Sequence, residues 1–222
     1  AVNGDPRYVL YTRSSDEGQT WEDIVIVDTM SQVNTTMTSS RVSDKVMLMY
    51  SKGIPGDEYD TVGDILYVES PDGVTWDFNN IQNVTNYSID DTLRAWLDFD
   101  AVYDYNDELH IIWAALHWTE TSTTEQSIFH WSETSGITLV AEGNWESFPG
   151  TANGTLSKCT MGVAEDNRLF VIWTQFDDID VSSGAFSNGE IFACGSKDGG
   201  LTWTERINLT NSPTEGCLPG YC

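Results

Sequence analysis

The chain has 222 residues, 35 of them Asp or Glu against 10 Lys or Arg, for a net charge of −25. A surface of that sign repels phosphate, which excludes nucleic acid as a partner and disfavours anionic lipid. Hydrophobic residues make up 40% of the chain, enough for a sizeable core, and no stretch approaches the length of a membrane-spanning helix, so no membrane insertion is expected.

In chain order, the first apolar run is Val9-Leu10-Tyr11, followed by Ser14-Ser15-Asp16-Glu17-Gly18-Gln19-Thr20-Trp21 and a strand from Trp21 to Val27. Arg41-Val42 then precedes the polar turn Ser43-Asp44-Lys45 and the run Val46-Met47-Leu48-Met49-Tyr50. Gly63-Asp64-Ile65-Leu66-Tyr67 leads to Ser70-Pro71-Asp72-Gly73-Val74-Thr75-Trp76 and a strand from Trp76 to Val84. The same order recurs as Phe99 to Tyr103, the turn Asn106-Asp107-Glu108, Leu109-His110-Ile111-Ile112-Trp113 and Ile128-Phe129. There the box is worn, Ser132 to Leu139, with its Asp and Trp replaced, and a strand from Leu139 to Glu142 follows. The last round runs Cys159 to Val163, Asp166-Asn167-Arg168, Leu169-Phe170-Val171-Ile172-Trp173 and Gly189-Glu190-Ile191-Phe192-Ala193. It ends in Ser196-Lys197-Asp198-Gly199-Gly200-Leu201-Thr202-Trp203 and a strand to Leu209. No long segment has a 3.6-residue apolar period, so helix is expected to be nearly absent.

The recurring corner has a physical reading. Asp16, Asp72 and Asp198 can bond backbone N–H groups further along a tight turn, and Gly18, Gly73 and Gly200 supply positive φ. Ser14, Ser70 and Ser196 open the corners; Thr20, Thr75 and Thr202 start the next strand; Trp21, Trp76 and Trp203 are large enough to wedge between neighbouring sheets. These residues read as a staple of the fold, not as catalytic acids.

Four short antiparallel strands in each unit of about 60 residues is the arithmetic of a propeller blade. On these motifs the chain resembles the Asp-box repeat, also called the bacterial neuraminidase repeat, of sialidases and other propeller proteins. The resemblance covers nearly the whole sequence and implies an all-β fold, a β-propeller of four-stranded blades with Asp-box turns. Residues 1–30 supply a half blade (strands three and four, counted outward from the axis), residues 31–90, 91–150 and 151–211 three blades, and 212–222 a C-terminal tail too short to supply the missing strands. About three and a half blades result, incomplete or completed by another chain, below the usual four to eight. Two explanations stand. The chain beginning Ala1-Val2-Asn3 is a processed or excised piece of a longer protein, or the half blade recruits strands from another copy.

The resemblance also implies where a sialidase would work: the face carrying the loops from strand two to three and from four to the next blade. Such enzymes use three arginines to clamp a sugar carboxylate, a Tyr nucleophile paired with Glu, and an Asp proton donor. Here Arg41 and Arg94 are placed near that face, while Arg7, Arg13, Arg168 and Arg206 are not, and the Arg-Ile-Pro signature of these enzymes is missing. The loops on that face are acidic and would repel a sialic acid. The chain is therefore expected to lack catalytic activity of its own.

The acidic loops, with Asp57 and Asp60 in one blade and Asp177, Asp178 and Asp180 beside Asn188 in another, are candidate calcium ligands, although no cofactor is required. Trp118, Trp96 and Tyr59 are candidates to stack on a carbohydrate ligand, against a core role for most of the nine tryptophans. His110, His117 and His130 lie on or beside strands without a matched nucleophile. Sequons stand at Asn34, Asn83, Asn86, Asn153 and Asn208, so N-linked glycans are expected. Cys159, Cys194, Cys217 and Cys222 lack metal-site spacing and read as disulfide formers. A direct Cys159–Cys194 bond is disfavoured because a strand separates them, and the tail cysteines are expected to tie down the C-terminus. Together these features point to an extracellular or cell-surface glycoprotein. The expected function is a structural or adhesive module that associates with copies of itself through its incomplete blade. The alternative is a fragment of a sialidase-like glycoside hydrolase or glycan-binding propeller.

Overall fold

The computed structural model describes residues 7–29, 34–56, 63–117, 125–143, 145, 149, 154–212 and 214–218. Among them there is no helix, and none therefore is long and apolar enough to cross a membrane. Fourteen strands form four consecutive antiparallel units. The first has two strands, β1 (Tyr8–Tyr11) and β2 (Val25–Thr29). The second comprises β3 (Thr35–Ser39), β4 (Val46–Gly53), β5 (Gly63–Ser70) and β6 (Gln82–Asn83), paired in that order. The third comprises β7 (Leu93–Tyr103), β8 (Leu109–His117), β9 (Gln126–Ser132) and β10 (Gly136–Gly143). The fourth comprises β11 (Leu156–Val163), β12 (Leu169–Val181), β13 (Ser187–Ser196) and β14 (Ile207–Asn208). A bridge from Gly63 to Ala95 links the second and third units.

The second strand of each full sheet alternates its side chains between two neighbours, as a period of two requires. Leu48 and Tyr50 pack toward the first half-sheet with Val9, Val27 and Val68. Met47 and Met49 meet Ile111 and Trp113 of the third sheet. On the far side of β8, Ile112 and Ala114 meet Val171 and Trp173 of the fourth. Three apolar layers therefore lie between four stacked sheets, and both faces of the two inner sheets are buried.

The structure departs from expectation in three elements. The first strand of the second sheet is Thr35–Ser39, not Arg41-Val42. Ser40 ends it, its Oγ accepting the amides of Val42 and Ser43 (both 3.1 Å), so Arg41 and Val42 lie in the turn. The segment Ser132 to Leu139 is no worn box. It is a tight hairpin in which Ser132 faces Gly136, at φ +63°, across three residues, and β10 begins at once. Finally, the outer strands β6 and β14 are two residues each, far shorter than the runs from Trp76 and Trp203 suggested.

Candidate functional site

At the three remaining corners the serine and aspartate build one arrangement. Ser14 Oγ donates to Asp16 (2.8 Å) and accepts the Gly18 amide (2.8 Å), while Asp16 accepts the amide (2.8 Å) and hydroxyl (2.6 Å) of Thr20. Ser196, Asp198, Gly200 and Thr202 repeat it, with the Gly200 amide 2.9 Å from Ser196 Oγ. The shorter corner substitutes Val74 and Thr75 amides on Asp72, at 2.8 and 2.6 Å. The Thr20 and Thr202 hydroxyls and amides hold Asp16 and Asp198 down to about 2, and the Thr75 and Val74 amides do the same for Asp72. Every one of these carboxylates is engaged within its own turn.

A second clasp sits at the other end of the outer strands. Asp64 accepts Asn83 Nδ2 (2.9 Å), Thr85 Oγ1 (2.7 Å) and the Tyr87 amide (2.7 Å). Glu190 occupies the same place in the fourth sheet, accepting Thr210 Oγ1 and the amide and hydroxyl of Ser212. The threonines belong to the sequons Asn83-Val84-Thr85 and Asn208-Leu209-Thr210, so these triplets have a structural role whether or not a glycan is attached. The recurrence of Gly-acid-Ile and Asn-x-Thr in step was the available signal.

The corner tryptophans wedge between sheets. Trp76 lies 5.1 Å from Tyr11 of the preceding sheet, centroid to centroid. Trp203 lies 5.4 Å from His130 of its preceding sheet and donates to Thr138 Oγ1 (3.3 Å). The hairpin register makes Tyr11, Tyr67, His130 and Ala193 equivalent positions. Trp21 belongs to the first half-sheet and is 64% exposed. At the opposite end, Ala193 joins Phe170, Thr204 and Ile207 in a groove of about 190 Å³ on the outward face of the fourth sheet. Phe170 and Ile172 are 42% and 40% exposed there, whereas their counterparts Met47 and Met49, and His110 and Ile112, are all 0% exposed beneath a following sheet. The molecule thus ends in two apolar faces. Sequence reading located the half blade but not these residues, which emerge only once the register is known.

Other anticipated residues are placed differently. Arg41 lies on the corner face, its guanidinium 3.4 Å from Tyr105 Oη, because the strand before it ends at Ser39. Arg94 is buried and donates to the carbonyls of Asp91 (2.8 Å) and Ile89 (2.6 Å), so it braces a loop. Asp180 is buried and accepts Asn188 Nδ2 (2.8 Å) and the Thr214 amide (3.1 Å), which pins the C-terminal segment. Asp177 caps its own turn through the Ile179 and Asp180 amides, and Asp178 does not join the two in a ligand cluster. Cys159 and Cys194 are free thiols in the core, contrary to the disulfide expectation; they sit on β11 and β13 with β12 between them. Burial pushes Cys194 up to about 12. Cys217 is disulfide-bonded. Asn86 and Asn208 are exposed, while the half-buried Asn34 donates its amide to the Leu97 carbonyl. Trp96 is half-buried in β7. Asp57, Asp60, Tyr59, Trp118, Asn153 and Cys222 lie outside the described residues.

No family model matches the chain, and no curated relative does. Solved structures do match. An N-acetylgalactosamine deacetylase from F. plautii in complex with blood group B trisaccharide is 12% identical with a TM-score of 0.52, over 92% of this chain and 58% of that one. The intramolecular trans-sialidase from Ruminococcus gnavus in complex with oseltamivir carboxylate is 12% identical with a TM-score of 0.50, over 92% and 64%. The fold is that of β-propeller blades. A protein of unknown function from Dyadobacter fermentans matches in the same way, at 12% identity and a TM-score of 0.51, over 91% and 58%. The chain thus spans less than two thirds of the length of each of these structures, and at such identity the likeness is one of fold alone.

Proposed function

We propose that this chain is a non-catalytic, extracellular or cell-surface structural and adhesive module that joins copies of itself head to tail through its incomplete first sheet. The observation that carries this reading is the pair Phe170 and Ile172, exposed at register positions that are sealed in both inner sheets. An incoming half-sheet brings what such a face lacks. Trp76 and Trp203 each rest on the preceding sheet, and Trp21 has the same place in its own corner. Where the preceding sheets offer Tyr11 or His130, the last offers the small Ala193 beside a groove, leaving room for an indole. Sealing Phe170, Ile172 and Trp21 is worth about 1.5–3 kcal/mol for each side chain fully buried. A heterologous contact of this kind propagates into a filament unless its rotation closes a ring. The corner bonds are those expected of Asp-box turns, a repeat that serves receptors and binding proteins as well as enzymes. Exposed sequon residues Asn86 and Asn208 and the net charge of −25 suit a glycosylated, extracellular surface.

The test is the particle itself. Electron microscopy and light scattering of the native protein should find oligomers or filaments of this chain, and Trp21→Glu or Ala193→Trp should return it to monomers. A wild-type chain that stays monomeric at high concentration would sink the proposal.

A second reading is favoured by the share of the matched structures that this chain spans, 58% and 64%. Here further sheets of one longer polypeptide cover the same two faces, in a carbohydrate-active or glycan-binding propeller. It predicts a native polypeptide with additional corners and an arginine cluster, and hydrolysis of a fluorogenic sialoside or retention on a glycan array.

A further inference from the structure

His110 breaks the repeat. Its register counterparts in the neighbouring sheets are Met47 and Phe170, yet this apolar position holds an imidazole that is wholly buried. Its Nδ1 lies 3.0 Å from Nε2 of His130, also wholly buried. The protonation of this pair follows from the hydroxyls around it. Thr138 Oγ1 donates to the Gly200 carbonyl (2.7 Å) and Ser135 Oγ to the Gly136 carbonyl (2.9 Å), so both have spent their hydrogen. His130 Nδ1, 3.3 Å from Thr138 Oγ1 and 3.5 Å from Ser135 Oγ, must therefore be the donor to them. A neutral His130, whose partners are hydroxyls and another imidazole, then presents a bare Nε2, and His110 Nδ1 must carry the proton between them. That leaves His110 Nε2 as a lone pair, buried and without a hydrogen-bond partner.

This lone pair faces carboxylates. Asp104 Oδ2 is 3.8 Å away, and the ligand atoms of Asp104, Glu108 and His110 all lie within 4.8 Å of one another. Asp104 is held in place through Oδ1 by the amides of Asn106 (2.8 Å) and Glu108 (2.9 Å), and its Oδ2 accepts a longer bond from Asn106 Nδ2 (3.3 Å). Glu108 accepts the Thr134 amide (3.0 Å) and the Ser132 hydroxyl. The His110 lone pair is the one member of this group without a donor, and holding it buried beside two carboxylates costs free energy unless a cation joins them.

We propose that the third sheet binds a divalent first-row transition ion through His110 Nε2 and the carboxylates of Asp104 and Glu108. Tetrahedral coordination at about 2.0–2.2 Å sets ligand atoms about 3.3–3.6 Å apart, so His110 and Asp104 need to close by only a few tenths of an ångström and the widest pair by about 1 Å. One imidazole with two carboxylates suits ions such as zinc or manganese, whereas calcium takes an all-oxygen shell. An approach exists as well. Glu108 lines an open polar cavity of about 300 Å³ in which Lys45 pairs with Asp107, while the field of Glu69 and Glu133 draws cations inward.

The experiment is a cobalt(II) titration of the chelator-stripped, full-length protein at high salt, which suppresses diffuse binding to the acidic surface. Visible ligand-field absorption should saturate at one cobalt per chain and be displaced by zinc. His110→Met, which installs the side chain found at position 47, and Glu108→Gln, at the half-exposed cavity rim, should each weaken binding about 100-fold, at least the upper range seen for outer-shell partners. The far-UV circular dichroism should stay unchanged. Absence of the band would mean that a proton on His110 serves instead, and would overturn the proposal. So would a band that survives both substitutions. If His110→Met does not fold, Glu108→Gln decides alone.

Discussion

Asp16, Asp72 and Asp198 stand near the surface, yet their own turns hold them at about 2, against an ordinary 3.8. The cause is the cluster of threonine hydroxyls and backbone amides that only the ionised carboxylate satisfies. A pKa lower in the folded chain than in the unfolded one means that the unfolded state binds more protons as pH falls. The corner contribution is therefore complete above about pH 4 and is lost between about 4 and 2. Protonating the other acidic residues relieves self-repulsion over part of the same window, so the wild-type melting curve alone mixes two effects. Comparing it with Asp198→Asn separates them. The melting temperature of the variant should lie below that of wild type at pH 6, and the two should converge by about pH 2. A constant difference across the window would show that the carboxylate charge is not what the corner uses. The same corner shows why Gly200 is needed. It sits at φ +88°, and a Cβ there would stand 2.1 Å from the His130 ring.

The outer strands of each sheet are held by clasps more than by ladders, since β6 and β14 are two residues long. Asp64 is buried and joins three donors, one in β6 and two in the chain after it, to the start of β5. Asp64→Ala should cost about 1–3 kcal/mol, because the Tyr87 amide and Thr85 hydroxyl lose their acceptor. Thr85→Val should cost less, and the double variant less than the sum, since both act on one network. Urea unfolding of the four proteins measures this, and strict additivity would show that the two residues act separately. These elements also mark what the sequence could reveal. Val46–Tyr50 and Leu109–Trp113 are buried on both faces and Leu169–Trp173 on one, yet all three read as near-continuous apolar runs, so the second strands were legible. Thr35–Ser39 reads Thr-Thr-Met-Thr-Ser and is at most half-buried, so nothing in its hydrophobicity marks it above the neighbouring Arg41-Val42. The loss of aspartate at 132–139 was visible, but not that the turn had shortened to a hairpin. The metal-ligand candidates were hidden for another reason. His110 falls inside an apolar run, and its meaning depends on Asp104, His130 and Thr138, which only the sheet register and the turn between β7 and β8 bring into line.

Across the whole molecule, two quantities compete whenever copies meet. The apolar ends favour contact, with Trp21, Ile24 and Ile26 exposed at one and Phe170, Ile172 and Ile207 at the other. The charge of −25 on each copy opposes it. At low ionic strength this repulsion reaches tens of ångströms, roughly 30 Å at 0.01 M, whereas at 1 M it fades within about 3 Å. Apolar burial is not screened in this way, and salts excluded from protein surfaces strengthen it. Head-to-tail association should therefore grow with added sodium chloride, the reverse of an assembly held by ion pairs. Sedimentation velocity over a series from about 0.01 to 1 M salt should show the monomer giving way to larger species. Trp21→Glu should stay monomeric throughout, because it removes the wedge and adds a charge at the contact. Dissociation on adding salt would show that the contact is electrostatic and that the exposed apolar faces are not its site.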